Sequence, residues 1–109
     1  MSSEHWSKSE KAIANRAFTL ALERECKGLI EKVRRRASSI ADVEDVWKLN
    51  DYLTRQRRAI DEKYDYRYSV LIFVFARLIH EGWLTEDELE GLDDDKMTQI
   101  RVMLRMAEK

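Results

Sequence analysis

The sequence predicts an all-α fold: two long antiparallel helices followed by a small helical head. Three observations carry this. Apolar residues recur at steps of three and four along two long stretches, which is the helical period. The 109 residues include no proline and only three glycines, too few turn formers for a β-sandwich. The spacing Ser/Thr-x-x-Glu, which caps helix N-termini, occurs at Ser7–Glu10 and at Thr85–Glu88.

The first helix is predicted from about Ser7 to Ser38, with Trp6 placed to staple its start. Phe18, Leu22, Cys26, Leu29, Val33, Ala37 and Ile40 form its apolar stripe, flanked by Ala14, Ala21 and Ile30. Gly28 is a local weakness, costing about 1 kcal/mol against alanine in a helix interior. At 1.5 Å per residue this helix is ~48 Å long, more than a chain of this size spans as a globule. After punctuation at Ser38, Ser39 and Asp42, a second helix is expected from about Ala41 to Tyr64. Val46, Leu49, Leu53, Ile60 and Tyr64 mark its stripe, interrupted by the polar run Thr54–Arg58. A short connection makes the two helices antiparallel neighbours.

The run Tyr68–Ala76 is apolar throughout, so its period does not separate strand from helix. Its extension through Leu78 and Ile79 is too long for a typical strand, and the chain offers no strand to pair with it. It is therefore expected to be helical, with Gly82 as the residue after the C-cap. Thr85 opens a short helix that Gly91 ends. Asp93–Asp95 supply an N-cap and acids for a last helix through Met97, Ile100, Met103 and Leu104. The expected organisation is one all-α domain over 1–109, with long helices over about 7–64 and the head over about 65–109. The long stripes need more apolar cover than one chain supplies, which predicts a homodimer built on the long helices.

Composition narrows the function. Twenty Lys+Arg against 21 Asp+Glu argue against a general nucleic-acid binder. No apolar stretch approaches the ~20 residues of a membrane span, and Met1–Trp6 has no leader-like apolar core. The expectation is a cytoplasmic protein without membrane insertion. One cysteine excludes an internal disulfide or a multi-thiolate metal site. Cys26 lies in the first stripe and is expected to be a small buried hydrophobe. His5, expected on a loose N-terminus, and His80, near a helix end, share no ligand spacing. Asp93–Asp95 lack the alternation of a calcium loop. There is no phosphate loop and no nucleophile elbow. No enzyme chemistry, metal or cofactor is expected.

Two arginine clusters remain, Arg34–Arg36 and Arg55–Arg58 (with Gln56 between). They fit solvated faces balanced by Glu23, Glu25, Glu31, Asp61 and Glu62, or forks that recognise an acidic protein surface. A more informative group lies on the second helix. At ~100° per residue, Asp51, Thr54 and Arg58 fall within about 40° of Trp47. Asn50 and Arg57 lie about 60–80° round, toward the apolar stripe. Trp and Arg dominate protein–protein hot spots, so this face is a candidate docking site.

Several blocks together resemble the fluorescence recovery protein family: Trp6–Glu10, Asp45–Leu53, Ile60–Tyr64, Leu71–Ala76 and Glu81–Thr85. The resemblance spans nearly the whole chain. It implies an all-α homodimer joined by the long helices, with no catalytic activity. It implies a partner, the orange carotenoid protein or a homologue of its C-terminal domain. Members bind the C-terminal domain of the photoactivated red form and speed its return to the dark orange form, ending phycobilisome quenching. The family's tryptophan, aspartate and arginine on the second helix match Trp47, Asp51 and Arg57, and Phe73 matches a head aromatic linked to partner contact. Arg55 and Arg58 add positive charge here, and Gln99 replaces a contact lysine. The alternative is a helical dimeric adaptor binding nucleic acid, or an unrelated protein, through its Arg-rich faces.

Overall fold

The structure is a computed structural model and describes residues 5–108. Met1–Glu4, part of the segment inspected for a leader, and Lys109 lie outside the described residues. Four α-helices and one 3-10 turn follow in order: α1 (Lys8–Ser38), α2 (Val43–Lys63), α3 (Leu71–His80), the 3-10 turn Glu86–Leu89, and α4 (Asp94–Ala107). The molecule measures 54 × 30 × 24 Å, its long axis set by the 31 residues of α1. No described helix is long and apolar enough to cross a membrane.

The caps form where expected. The Ser7 hydroxyl accepts from the Glu10 N–H while the Glu10 carboxylate accepts from the Ser7 N–H, at 3.1 and 3.0 Å. Asp42 and Asp45 make the same reciprocal pair at the start of α2. After α3 the Trp83 N–H bonds to the Leu78 carbonyl and the Gly82 N–H to that of Ile79. These are the two bonds of a Schellman ending, with Gly82 at φ +89°. Thr85 does cap a box with Glu88, but the four residues it opens wind as a 3-10 turn rather than an α-helix. Asp93 caps α4.

α1 and α2 run antiparallel, with Arg36 beside Tyr52 and Glu25 beside Lys63. The head packs on the N-terminal half of α1. Phe75, Leu71, Leu78, Leu89 and Ile100 are its fully buried large side chains. Here the structure departs from the expected stripes. The residues that α1 buries are Glu10, Ala14, Ala17 and Ala21, not Phe18, Leu22, Cys26, Leu29, Val33 and Ala37. Those six are half-buried or exposed, and Ile40 lies beyond the helix end. Likewise α2 buries Tyr52 and Lys63, leaving Val46 and Leu53 exposed. Small side chains let the head approach α1 closely, so the larger apolar residues fall on a neighbouring face that the chain covers only in part, with Phe18 against Tyr64 and Tyr66 and the others half-buried or exposed. Gly28 belongs to the close-approach face: a Cβ there would sit 3.2 Å from the Trp83 ring. Its helix cost is offset by what it lets in. Cys26 is accordingly half-buried rather than enclosed.

Trp6 is buried, but as part of the head core, 5.6 Å from the Tyr68 ring, rather than as a staple: the position it would pin is Lys11. His5 is held too, since its carbonyl accepts from Lys96 Nζ at 2.6 Å.

Two buried lysines join the parts. Lys96 Nζ also reaches Glu10 Oε1 and Asp93 Oδ2, both at 3.3 Å, and tethers α4 to the start of α1. Lys63, with its side chain 5% exposed, donates to Glu25 Oε2 (2.7 Å) on α1 and to Glu81 Oε1 after α3. Tyr64 donates to the other Glu25 oxygen at 2.8 Å. Burial, then this bond, raises the Tyr64 phenol above its ordinary value. Outside, Arg24 grips Glu88 with two bonds of 2.8 and 2.6 Å and fastens the 3-10 turn to α1. That fork holds the Glu88 carboxyl down to about 2. Burial alone would raise Glu10 and Glu81. Backbone N–H groups of Ser7 and Asp93 and then Lys96 outweigh it for Glu10, and Lys63 and Arg77 do so for Glu81.

Two outcomes follow from these joints. Because Glu10, Glu81 and Glu88 all sit below their unfolded values, the unfolded chain binds more protons in acid. Their stabilisation is complete near neutral pH and is lost as pH falls below the ordinary glutamate range, through about 2 for Glu88. Urea midpoints should drop between pH 6 and pH 3, and Glu88→Gln should flatten that drop. Lys63→Met leaves the mostly buried Glu25 without its cation and Glu81 with Arg77 alone, and should cost about 3 kcal/mol in urea unfolding.

Candidate docking face on the second helix

Asp42, a strong N-cap, starts α2, and its 21 residues then present three faces. Its buried residues, Tyr52 and Lys63, lie about 140–160° from Trp47 at ~100° per residue, so α1 occupies the side opposite Trp47. Val46, Leu53 and Ile60 lie about 100–140° round in the other sense and form an apolar strip. Trp47 itself is 57% exposed. A largely apolar indole thus stands in water although the chain has an apolar interior, which makes it the candidate contact of this face.

The charged neighbours are equally free. Asn50, Asp51, Arg57 and Arg58 are all exposed. The Asn50 carbonyl accepts from the Thr54 hydroxyl at 3.0 Å, a back-bond that leaves the Asn50 side chain unused. The Arg57 side chain is 87% exposed and meets only Asp61, at 4.0 Å. An exposed pair of that length is worth at most about 1 kcal/mol, so it leaves the Arg57 guanidinium nearly free. Of the acids read as balancing the arginine clusters, only Asp61 pairs with a cluster arginine among the described residues; Glu25 is taken by Lys63.

The face is not uniform. Arg58 shares the wheel side of Trp47 and Asp51 but stands about three turns along the helix from Trp47, whereas Arg57 borders the apolar strip, lining a hollow with Leu29, Leu53, Ile60 and Asp61. Phe73 stands apart on α3, 60% exposed between the buried Ile72 and Val74. It shares the outward side of that helix with Arg77 and His80, at the i, i+4, i+7 spacing of one face. Gln99 is half-buried on α4. Among the described residues, no three His, Cys, Asp or Glu side chains gather as a metal site.

Sequence periodicity did not expose the roles of Tyr52 and Lys63. Tyr52 falls between stripe positions, yet the Arg36 guanidinium carbon lies over its ring at 3.8 Å. Lys63 reads as a solvated cation until Glu25 and Glu81 are brought to it. The only signal was its place beside Tyr64, which supplies another bond to Glu25.

Comparisons with known proteins agree with this architecture. A family model described as "Photoprotection regulator fluorescence recovery protein" matches residues 6–104. The fluorescence recovery protein of Synechocystis sp. PCC 6803 is 44% identical over 101 residues, covering 93% of each chain. The solved structure of the Fremyella diplosiphon fluorescence recovery protein superimposes with a TM-score of 0.90 at 52% identity, covering 94% of this chain and 100% of that one. That of the Synechocystis protein gives 0.89 at 44% identity, over 93% and 99%. With four described α-helices, no strand among the described residues and a match along almost its full length, this chain belongs to the fluorescence recovery protein family of photoprotection regulators.

Proposed function

We propose that this protein is a non-enzymatic regulator of a photoprotective partner. It binds the C-terminal domain of the photoactivated, red orange carotenoid protein and accelerates its return to the dark orange form, which ends phycobilisome quenching. The observation that carries this reading is the exposed indole of Trp47 on the side of α2 away from α1, with Asn50, Asp51 and Arg58 exposed on that helix and Arg57, which makes a 4.0 Å contact with Asp61, at its border. Trp47 is the anchor, Asp51 and the two arginines orient the partner through charge-assisted bonds, and Phe73 adds an apolar contact from the head.

Acceleration demands more than affinity for the open state, since a ligand of that state alone would hold it open. The bound regulator must also favour the transition state for domain re-docking. A scaffold that touches both halves raises their effective concentration for one another.

The working form is a homodimer joined through the strip of Leu29, Val46, Leu53 and Ile60. The chain exposes 7626 Å². A compact monomer of 13.0 kDa exposes about 6,300 Å². The excess exceeds the ~800 Å² per partner of a standard interface. A reducing cytoplasm is the compartment that suits the partner and the free thiol.

Two measurements test these readings. Trp47→Ala, Asp51→Leu and Arg57→Leu should each keep the helical circular dichroism. Each should weaken binding to the photoactivated carotenoid protein by roughly 30-fold or more, as an interface hot spot does, with the dark recovery rate falling toward the unassisted one. Wild-type-like acceleration by all three would refute the face. Leu53→Glu, placed on the exposed strip, should convert a dimer to a folded monomer in sedimentation. An unchanged mass would refute that seam.

A further inference from the structure

The run Arg34–Arg36 takes no part in the docking face. It stands at the closed end of the α1–α2 pair, where a hollow of about 300 Å³ is lined by Arg35, Arg36, Ser39, Asp45, Lys48 and Leu49. Among the described residues, Arg35, Arg36 and Lys48 form no ion pair. The one acid in the lining, Asp45, is already engaged: its Oδ2 accepts the backbone N–H groups of Ala41 and Asp42 at 2.9 and 3.4 Å. Three unpaired cations therefore converge on one concavity against a single carboxylate held by backbone.

Arg36 is not a freely sweeping side chain. Its guanidinium carbon lies over Tyr52, 3.8 Å from the ring centroid, and Tyr52 is itself buried. This cation–π contact holds the guanidinium at the hollow with its N–H donors unused, since no Arg36 side-chain hydrogen bond forms among the described residues. Such a fork matches two oxygens of a phosphate, and the Lys48 ammonium supplies a point charge for a third. Lys48 lies about 100° from Trp47, in the sense opposite to Val46 and Leu53. A second copy seated on the apolar strip would leave the hollow open.

We propose that this hollow binds a doubly charged tetrahedral oxyanion, either inorganic phosphate or the phosphate group of a small phosphomonoester. Two guanidinium groups and an ammonium exceed what one two-oxygen carboxylate engages. The volume is at the lower end of small-molecule sites, about 300 Å³ upward, enough for the anion and a short ester tail.

The test is a ¹H–¹⁵N NMR titration of the full chain with inorganic phosphate and, separately, glycerol 3-phosphate. Sodium chloride holds the ionic strength constant, and the pH is slightly alkaline so that both ligands are dianions. Expected are saturable shifts confined to the amides around residues 35–39 and 45–49. The double variant Arg35→Gln/Lys48→Gln should weaken binding at least tenfold with the remaining spectrum unchanged, whereas Arg105→Gln on α4 should bind as wild type. Arg36→Lys, which keeps the charge but loses the fork, should also bind more weakly. Equal affinity for the two ligands assigns the shared anion, and tighter glycerol 3-phosphate binding adds the ester tail. Shifts that never saturate, that sodium chloride alone reproduces, or that survive the double variant overturn the site.

Discussion

The close approach of the head to α1 is the constraint from which the rest of the structure follows. Ala14, Ala17, Ala21 and Gly28 present almost no side chain, so Leu71, Phe75, Leu78 and Trp83 come near the helix backbone. Packing at that distance leaves no room for the larger residues of α1. Leu22, Leu29 and Val33 lie round the helix on a face the chain covers only in part, while Phe18 packs against Tyr64 and Tyr66. One helix thus carries two unlike faces: small residues that hold the head, and larger ones that the chain leaves partly in water.

Charge is divided along the same line. At the joints between elements the ionised groups are enclosed and multiply bonded. Lys96 ties two helix starts and the chain entering α1, and Lys63 ties the end of α2 to α1 and to the exit of α3. Buried pairs of this kind add little net stability over apolar replacements, but they are costly to break on one side only. They fix where the head sits relative to the long helices. On the outer side of α2 the opposite holds. Asp51, Arg57 and Arg58 are in water, and the one ion pair they make among the described residues is the 4.0 Å contact of Arg57 with Asp61. Among the described residues their charges are left almost unneutralised.

The non-helical stretch between α2 and α3 is held by aromatic contact rather than by backbone ladders. Phe18 on α1 meets Tyr64 and Tyr66 edge-on, at 5.4 and 4.8 Å between ring centroids, and Tyr66 meets Tyr68 at 5.6 Å. Pairs of this geometry contribute about 0.5–1.5 kcal/mol each beyond their buried area. The stretch that turns the chain from the long helices into the head is therefore stiff, and it presents Phe73 in a defined direction.

Local chemistry alone decided the helices, their caps and the makeup of the outer face of α2. A Ser-x-x-Glu box, an Asp before an apolar run and a Gly after one act within a few residues, so they are legible from the sequence. The wheel position of Trp47, Asp51 and Arg58 needs only a helix to exist. Tertiary structure decided which apolar face turns inward. Periodicity tells that residues share a side, not what lies against it, and the small-residue face of α1 looks weaker on a hydrophobicity count than the large-residue face beside it. It also decided that Lys63 and Glu10 are buried, because their partners Glu25 and Asp93 stand 38 and 83 residues away and meet them only once the head has docked.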